Sequence, residues 1–222
     1  MSQGELAKAV GLPRSTVQRI VAALGQENLI QPDRSDGVRL GSALLRLVAR
    51  VHTDVVSIVA PHLTQLSRDV EESVTLGRMS GREFAFVHVV VSDEILRVVP
   101  RVGSDLPLHS TAGGRALLSL QTDDSVRALL GTAYKRATPS SLHTYAELTR
   151  ELERIRECGY ALESDETFDG VSSVAFAIDT VLGHYSVSIV LPTARVDLKR
   201  DRLIEQALRM KKVLATQLGA TE

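Results

Sequence analysis

The sequence holds a single cysteine, Cys158, and no apolar run reaches the ~18 residues of a membrane span. A lone cysteine forms no internal disulfide, which fits a reducing compartment, so a cytoplasmic location is expected. The N-terminus is polar and lacks the apolar stretch of a signal peptide. Several enzyme signatures are missing as well: there is no G-x-S-x-G, no Walker A pattern, no C-x-x-C and no H-E-x-x-H. The six histidines (His52, His62, His88, His109, His143, His184) show no ligand spacing on one helix face. No enzyme activity, metal or cofactor is therefore expected. There is no internal repeat and no low-complexity tract.

What is present is the composition of a globular protein. The 222 residues are 44% hydrophobic and 24% charged, enough for one large or two ordinary domains. The net charge of −1 conceals a split. Residues 1–52 carry seven basic and four acidic side chains, a balance of +3; the remainder carries nineteen and twenty-three, a balance of −4. A mildly basic N-terminal segment on an acidic body suits a DNA reader with a separate partner domain.

The N-terminal stretch has the pattern of a helix-turn-helix. Ser2 stands three positions before Glu5, a capping box. Leu6, Ala7 and Val10 are placed to meet a second helix, and Leu12 to fill the turn that Gly11 makes. Pro13 suits a first helical turn, and Val17, Ile20, Val21 and Leu24 follow at helical spacing. The other face offers Arg14, Ser15, Thr16, Gln18 and Arg19, residue types that contact phosphates or base edges from the N-terminal half of a recognition helix. An ordinary helical hairpin within a globular core is the alternative. Residues 29–31 and 38–40 flank a turn containing Asp36-Gly37, a short hairpin. Directly after the helices it reads as a wing, with Arg34 at its tip and Arg39 on its return strand for phosphates. A solvated surface hairpin is the alternative.

Helix and strand alternate in the rest. A helix over 41–53, with Leu44, Leu45, Leu47, Val48 and Val51 apolar, is expected to link a domain at 1–40 to one at 54–222. Helices are expected over 57–70, 111–119, 126–130, 145–158 and 197–218. Strands are expected over 73–79, 83–91, 95–102, 160–166, 173–178 and 185–191, with a loop over 103–108. Paired strands with flanking helices imply α+β with a largely antiparallel sheet. Glu163, Asp165 and Glu166 imitate a catalytic cluster; on a strand Glu163 and Asp165 share one face and Glu166 the other, which favours a solvated or pocket-rim role. His109 is placed to orient the following loop or to pack beneath it.

Several segments together resemble the IclR-type (isocitrate lyase regulator type) bacterial transcription regulators. Gly11-Leu12-Pro13-Arg14-Ser15-Thr16-Val17 is similar to that family's recognition-helix signature. The run from Arg101-Val102-Gly103-Ser104 through Thr111-Ala112-Gly113-Gly114-Arg115-Ala116 is similar to its effector-domain signature. Arg156-Glu157-Cys158-Gly159-Tyr160-Ala161 and Gly170-Val171-Ser172-Ser173 match in order and spacing. The resemblance covers essentially the whole chain. It implies a winged helix-turn-helix joined to a GAF-like effector domain, working on double-stranded operator DNA as a homodimer or dimer of dimers. Relatives usually carry a further helix before the stretch that starts here at Met1. Without it Leu6, Val10, Val17 and Val21 lack a packing partner, and the alternative function is a small-molecule-binding module with impaired DNA binding.

The resemblance also implies a pocket for a small organic acid. Thr111, Ala112 and Gly113 lie at a helix start, where free N–H groups suit a carboxylate; a plain helix cap is the alternative. Glu163 matches an acidic pocket residue of some relatives, and Ser173 stands where many have Cys. Ser186 and Ser188 alternate on a strand like the family's paired pocket serines, or else form a solvated face. Leu108, Leu76 and Val98 are candidates for an apolar wall, or for core.

Overall fold

The computed structural model describes residues 2–32, 37–43, 55–180 and 182–219. They fall into two compact units, Met1–Asp54 and Val55–Glu222. Arg34 and most of the expected linker helix, 44–53, lie outside the described residues.

In the first unit, α1 (Gln3–Val10) starts on the capping box. Glu5 N donates to Ser2 Oγ at 3.3 Å, and Ser2 N donates to Glu5 Oε2 at 2.8 Å. The helix stops at Gly11, whose φ of +66° is ordinary for glycine and strained for other residues. Helix α2 (Arg14–Gln26) opens after Pro13, with no side-chain cap. Ala7 on α1 and Val17 on α2 are buried. Val10, Leu12, Ile20 and Leu24, expected to pack, are exposed. Strands β1 (Ile30–Pro32) and β2 (Val38–Leu40) pair antiparallel, with Gln31 opposite Arg39.

The second unit begins with α3 (Val55–Val70). Strands β3 (Ser73–Ser80) and β4 (Glu83–Val90) follow, then the short β5 (Asp105–Pro107). Next come α4 (Ala112–Leu118), α5 (Asp123–Leu130) and α6 (Tyr145–Cys158). Strands β6 (Ala161–Ser164), β7 (Val171–Thr180) and β8 (Gly183–Pro192) lead to α7 (Val196–Leu218). The six strands form one antiparallel sheet in the order β5-β4-β3-β8-β7-β6. The architecture is α+β and GAF-like.

The two faces of this sheet differ in side-chain size. Val74, Leu76, Val174, Phe176, Ile178, Val187, Ile189 and Leu191 face α3 and α7, in a core with Leu63, Leu66, Leu203 and Leu214. Burying each such side chain is worth roughly 1.5–3 kcal/mol, so this layer supplies much of the stability. Leu76, a candidate for the pocket wall, belongs to this core instead. The alternate residues, Thr75, Gly77, Ser173, Ala175, Ala177, Ser186 and Ser188, are small and face the other way. There α4 comes close to the sheet and α6 adds Leu148, Leu152 and Ile155.

Two expected strands change. Residues 95–102 are irregular, and β5 forms at 105–107 where a loop was expected. Ile95 is 100% exposed, and Leu96, Val99 and Val102 are more than half exposed, so no apolar alternation holds this run against a core. Gly103, at φ +82°, then turns the chain so that Asp105 and Leu106 pair with Ala85 and Phe84. The expected strand 160–166 stops at Ser164, because Asp165 takes φ +56°.

Phe84 depends on two glycines. A Cβ on Gly77 would lie 2.1 Å from Phe84 Cζ, and one on Gly113 would lie 2.5 Å from the same atom. Gly77→Ala is expected to destabilise the protein by roughly 1–3 kcal/mol through overpacking. Phe84→Leu in the same chain is expected to recover part of that loss. Urea unfolding of the two single variants and the double variant measures both effects.

Candidate ligand pocket and nucleic-acid interface

The small-residue face of the sheet leaves a cavity of about 330 Å³. Phe84 and Phe86 from β4, Val171 from β7 and Val190 from β8 form apolar walls, with Phe168 from the loop before β7. Phe84 and Phe86 meet edge to face at 5.3 Å. The irregular segment 91–104 covers another side with Val98, Val99, Pro100, Arg101 and Ser104. Ser73 Oγ holds that segment by donating to the Val98 carbonyl at 2.6 Å. The rest of the polar lining is Thr111, Glu163, Thr167, Ser173 and Ser188, with the Gly113 backbone.

Glu163 organises the polar end. Its Oε2 accepts from Ala112 N at 3.1 Å and from Ser173 Oγ at 2.9 Å; its Oε1 accepts from Thr167 N at 3.1 Å. Thr111 caps α4 by accepting from Gly114 N at 3.1 Å. The N–H of Ala112 and that of Gly114, expected to await a ligand carboxylate, are therefore already engaged by side chains of the protein. Burial raises the pKa of Glu163, and its hydrogen bonds and nearby Arg115 oppose that rise.

Arg115 fastens α4 from beneath. Its side chain is 1% exposed, with Nη1 2.6 Å from Glu166 Oε2 and Nη2 2.8 Å from Oε1. Nη2 also donates to the Leu162 carbonyl. Glu166 points inward because the positive φ of Asp165 breaks the strand alternation, so it does not face away as a continuing strand would have it. The acidic cluster is thus two separate devices, Glu163 in the cavity wall and Glu166 under α4.

The structure brings together Thr111, Gly113, Glu163, Ser173 and Ser188, with Val98 from the wall candidates. Ala112 reaches the site through its N–H alone. Leu108 is fully buried in the core around α4 and does not line the cavity, because its backbone lies against Gly114. Ser186 is buried beside the site without lining it. Neither serine lies on a solvated face. His109 also stays out: it stacks on Tyr134 at 4.8 Å, and burial lowers its pKa. Phe84, Phe86, Phe168, Thr167 and Arg101 were missed. The usable signals were Phe84 and Phe86 alternating on one strand and a lone aromatic in a polar loop.

In the first unit, Arg14, Ser15, Thr16, Gln18 and Arg19 are all exposed while Val17 is buried. Opposite Val17 on the helix, Ser15 and Arg19 point most directly outward. Arg14 lies to one side, where a Cβ on Gly4 would come within 3.1 Å of its Nη2. Arg39 is exposed on β2, with Nη2 3.5 Å from Gln31 Oε1.

Arg115→Met is expected to cost roughly 3–5 kcal/mol, since it leaves the partly buried Glu166 without its partner; urea unfolding measures this. Glu163 carries a pH signature of unusual sign. Its folded pKa is raised, so the native state binds the proton more tightly than the unfolded chain. As pH rises from the ordinary carboxylate value of ~4.3, its contribution to stability falls, then levels once the native group has ionised. Glu163→Gln is expected to remove that fall, and the difference between the two pH–stability curves isolates it from the other carboxylates.

Residues 1–34 match the family described as the IclR helix-turn-helix domain, and residues 48–214 match the family described as bacterial transcriptional regulator IclR C-terminal. The HTH-type transcriptional regulator TtgV of Pseudomonas putida is 39% identical over 214 residues, 96% of this chain and 82% of TtgV. A putative IclR transcriptional regulator from Silicibacter superposes with a TM-score of 0.83 at 23% identity, covering 100% of this chain and 89% of that one. The repressor BlcR of Agobacterium tumefaciens gives 0.72 at 25% identity, covering 100% and 91%. These relatives are named as regulators and none as an enzyme. With a helix-turn-helix unit ahead of an effector domain, this chain belongs to the IclR family of bacterial transcriptional regulators.

Proposed function

We propose that the regulator reads double-stranded operator DNA with the exposed face of α2, and that a small molecule in the cavity of the second unit alters that binding. The observation that carries this reading is the separation on α2: Val17 is buried, while Ser15, Thr16, Gln18 and Arg19 are exposed and offer donors and acceptors. Arg19 serves as the principal base-edge or phosphate contact, and Arg14, Arg34 and Arg39 as phosphate contacts. Two copies, as a homodimer or a dimer of dimers, present two recognition helices to successive half-sites. The protein works in the cytoplasm, beside the DNA. An effector that favours one arrangement of the copies over another changes their fit to the half-sites.

A second reading, a ligand-binding module with weak DNA binding, draws on the uncovered apolar surface of Val10, Leu12, Ile20 and Leu24. One experiment separates the two: binding of the full chain to DNA from upstream of its own gene across a salt series. The regulator reading expects selective, salt-sensitive binding, with Arg19→Ala losing a discrimination of roughly 1–3 kcal/mol, and Arg39→Ala lowering the salt slope by about 1. Unchanged operator affinity for Arg19→Ala at fixed salt sinks the assignment of α2. Absence of selective binding favours the second reading.

A further inference from the structure

We propose that the effector is an uncharged, apolar-bodied molecule of single-ring size carrying one hydrogen-bonding group such as a phenolic hydroxyl, and that Glu163 excludes anionic ligands from the cavity. This rests on the reading of the cavity as the ligand site.

Three observations carry it. The first is the wall. Phe84, Phe86, Phe168, Val98, Val171 and Val190 surround most of the space, so the ligand's body gains by leaving water. The second is the charge already inside. Glu163 is buried, and its carboxylate accepts from Ala112 N, Thr167 N and Ser173 Oγ. Burial pushes the pKa of Glu163 up; the three donors directed at its carboxylate oppose that rise, and above the raised pKa the group is a buried anion. A ligand carboxylate at the polar end would meet a like charge at short range among phenyl rings, where water screens little. Two of the N–H groups that usually attract an acid to a helix start are also engaged, Ala112 by Glu163 and Gly114 by Thr111.

The third is an unpartnered polar group. Ser188 Oγ lines the cavity, is buried and has no hydrogen-bond partner among the described residues. Buried hydroxyls without partners are rare in native proteins. Thr75 Oγ1, directly across the strand pair from Ser188, is buried and unpartnered too. Gly113 leaves the room: a Cβ there would lie 2.8 Å from Ser188 Oγ. A ligand hydroxyl both donates and accepts, so it supplies what Ser188 lacks. Arg101 is the cation of the lining, but it is exposed, and an exposed charge pair adds little in water.

The test is calorimetric titration of the full chain at pH 8, without DNA, with two probes of matched apolar body: 4-propylphenol, neutral there, and 4-propylbenzoate, an anion. The phenol is expected to bind at least tenfold more tightly. Glu163→Gln is expected to narrow that ratio about tenfold, through tighter binding of the benzoate. Ser188→Ala removes a hydroxyl without a partner among the described residues, so it is expected to stay folded; it should weaken the phenol several-fold and leave the benzoate unchanged. Equal or tighter binding of the benzoate to the unaltered protein overturns the proposal, as does the absence of binding by either probe. A ratio unmoved by folded Glu163→Gln, or a phenol affinity unmoved by Ser188→Ala, overturns it as well. Val98→Trp fills the cavity and separates the two readings. If the benzoate binds better and this variant abolishes its binding, the ligand class is wrong and the cavity reading stands. If the variant leaves binding untouched, the cavity reading itself falls.

Discussion

Arg115 is the constraint on which the ligand site depends. A guanidinium that is 1% exposed sits beneath a seven-residue helix and holds Glu166 with both terminal nitrogens and the Leu162 carbonyl with one. Such a charge is tolerated in an interior only when its partners meet it in good geometry. Meeting it decides where β6 ends and where the loop after β6 turns. That turn sends Glu166 inward and leaves Glu163, on β6, to face the start of α4. The position of Glu163 at the polar end of the cavity follows from this arrangement. The hydrogen bonds from Ala112 and Thr167 to Glu163 exist because α4 and the loop are held at the right separation.

The cavity itself comes from side-chain size on one face of the sheet. On the α3–α7 face, Val, Leu, Ile and Phe form a buried apolar layer. On the opposite face Thr75, Gly77, Ala175, Ala177 and Ser188 leave a layer that α4 can approach closely. Gly113 lets the backbone of that helix come down onto Phe84 and Ser188. The ring of Phe84 then lies over Gly77, and the space beyond it is closed by segment 91–104. One sheet thus serves two purposes: a rigid packed face for stability and an open face for a ligand.

Much of this was legible in the sequence where local rules dominate. The capping box at Ser2, the turn at Gly11, the start of α6 after Thr144 and the alternation of β7 and β8 are set by neighbours a few residues apart. The strand expected over 95–102 failed because its apolar residues serve other ends. Val98, Val99 and Pro100 line the cavity, and Ile95 and Leu96 lie in water. Composition marks such a run as strand, but it has no pairing partner to make it one. Ser186 and Ser188 were placed on one face correctly by alternation alone, though only Ser188 lines the cavity. Whether that face was wet or buried was a question alternation does not answer.

The sequence by itself determined the helix-turn-helix, the antiparallel α+β body, and the family resemblance that spans both. These rest on spacing, and spacing is written along the chain. The tertiary structure decided what the polar residues do. Glu163 and Glu166 are three positions apart and look alike in sequence, yet one faces the cavity and the other pairs with Arg115, because a single positive φ at Asp165 lies between them. The N–H groups at the start of α4 looked open to an anion until a carboxylate fifty-one residues away was found bound to one of them. Contacts over such separations depend on how the sheet brings β6 beside α4, and no local pattern encodes that.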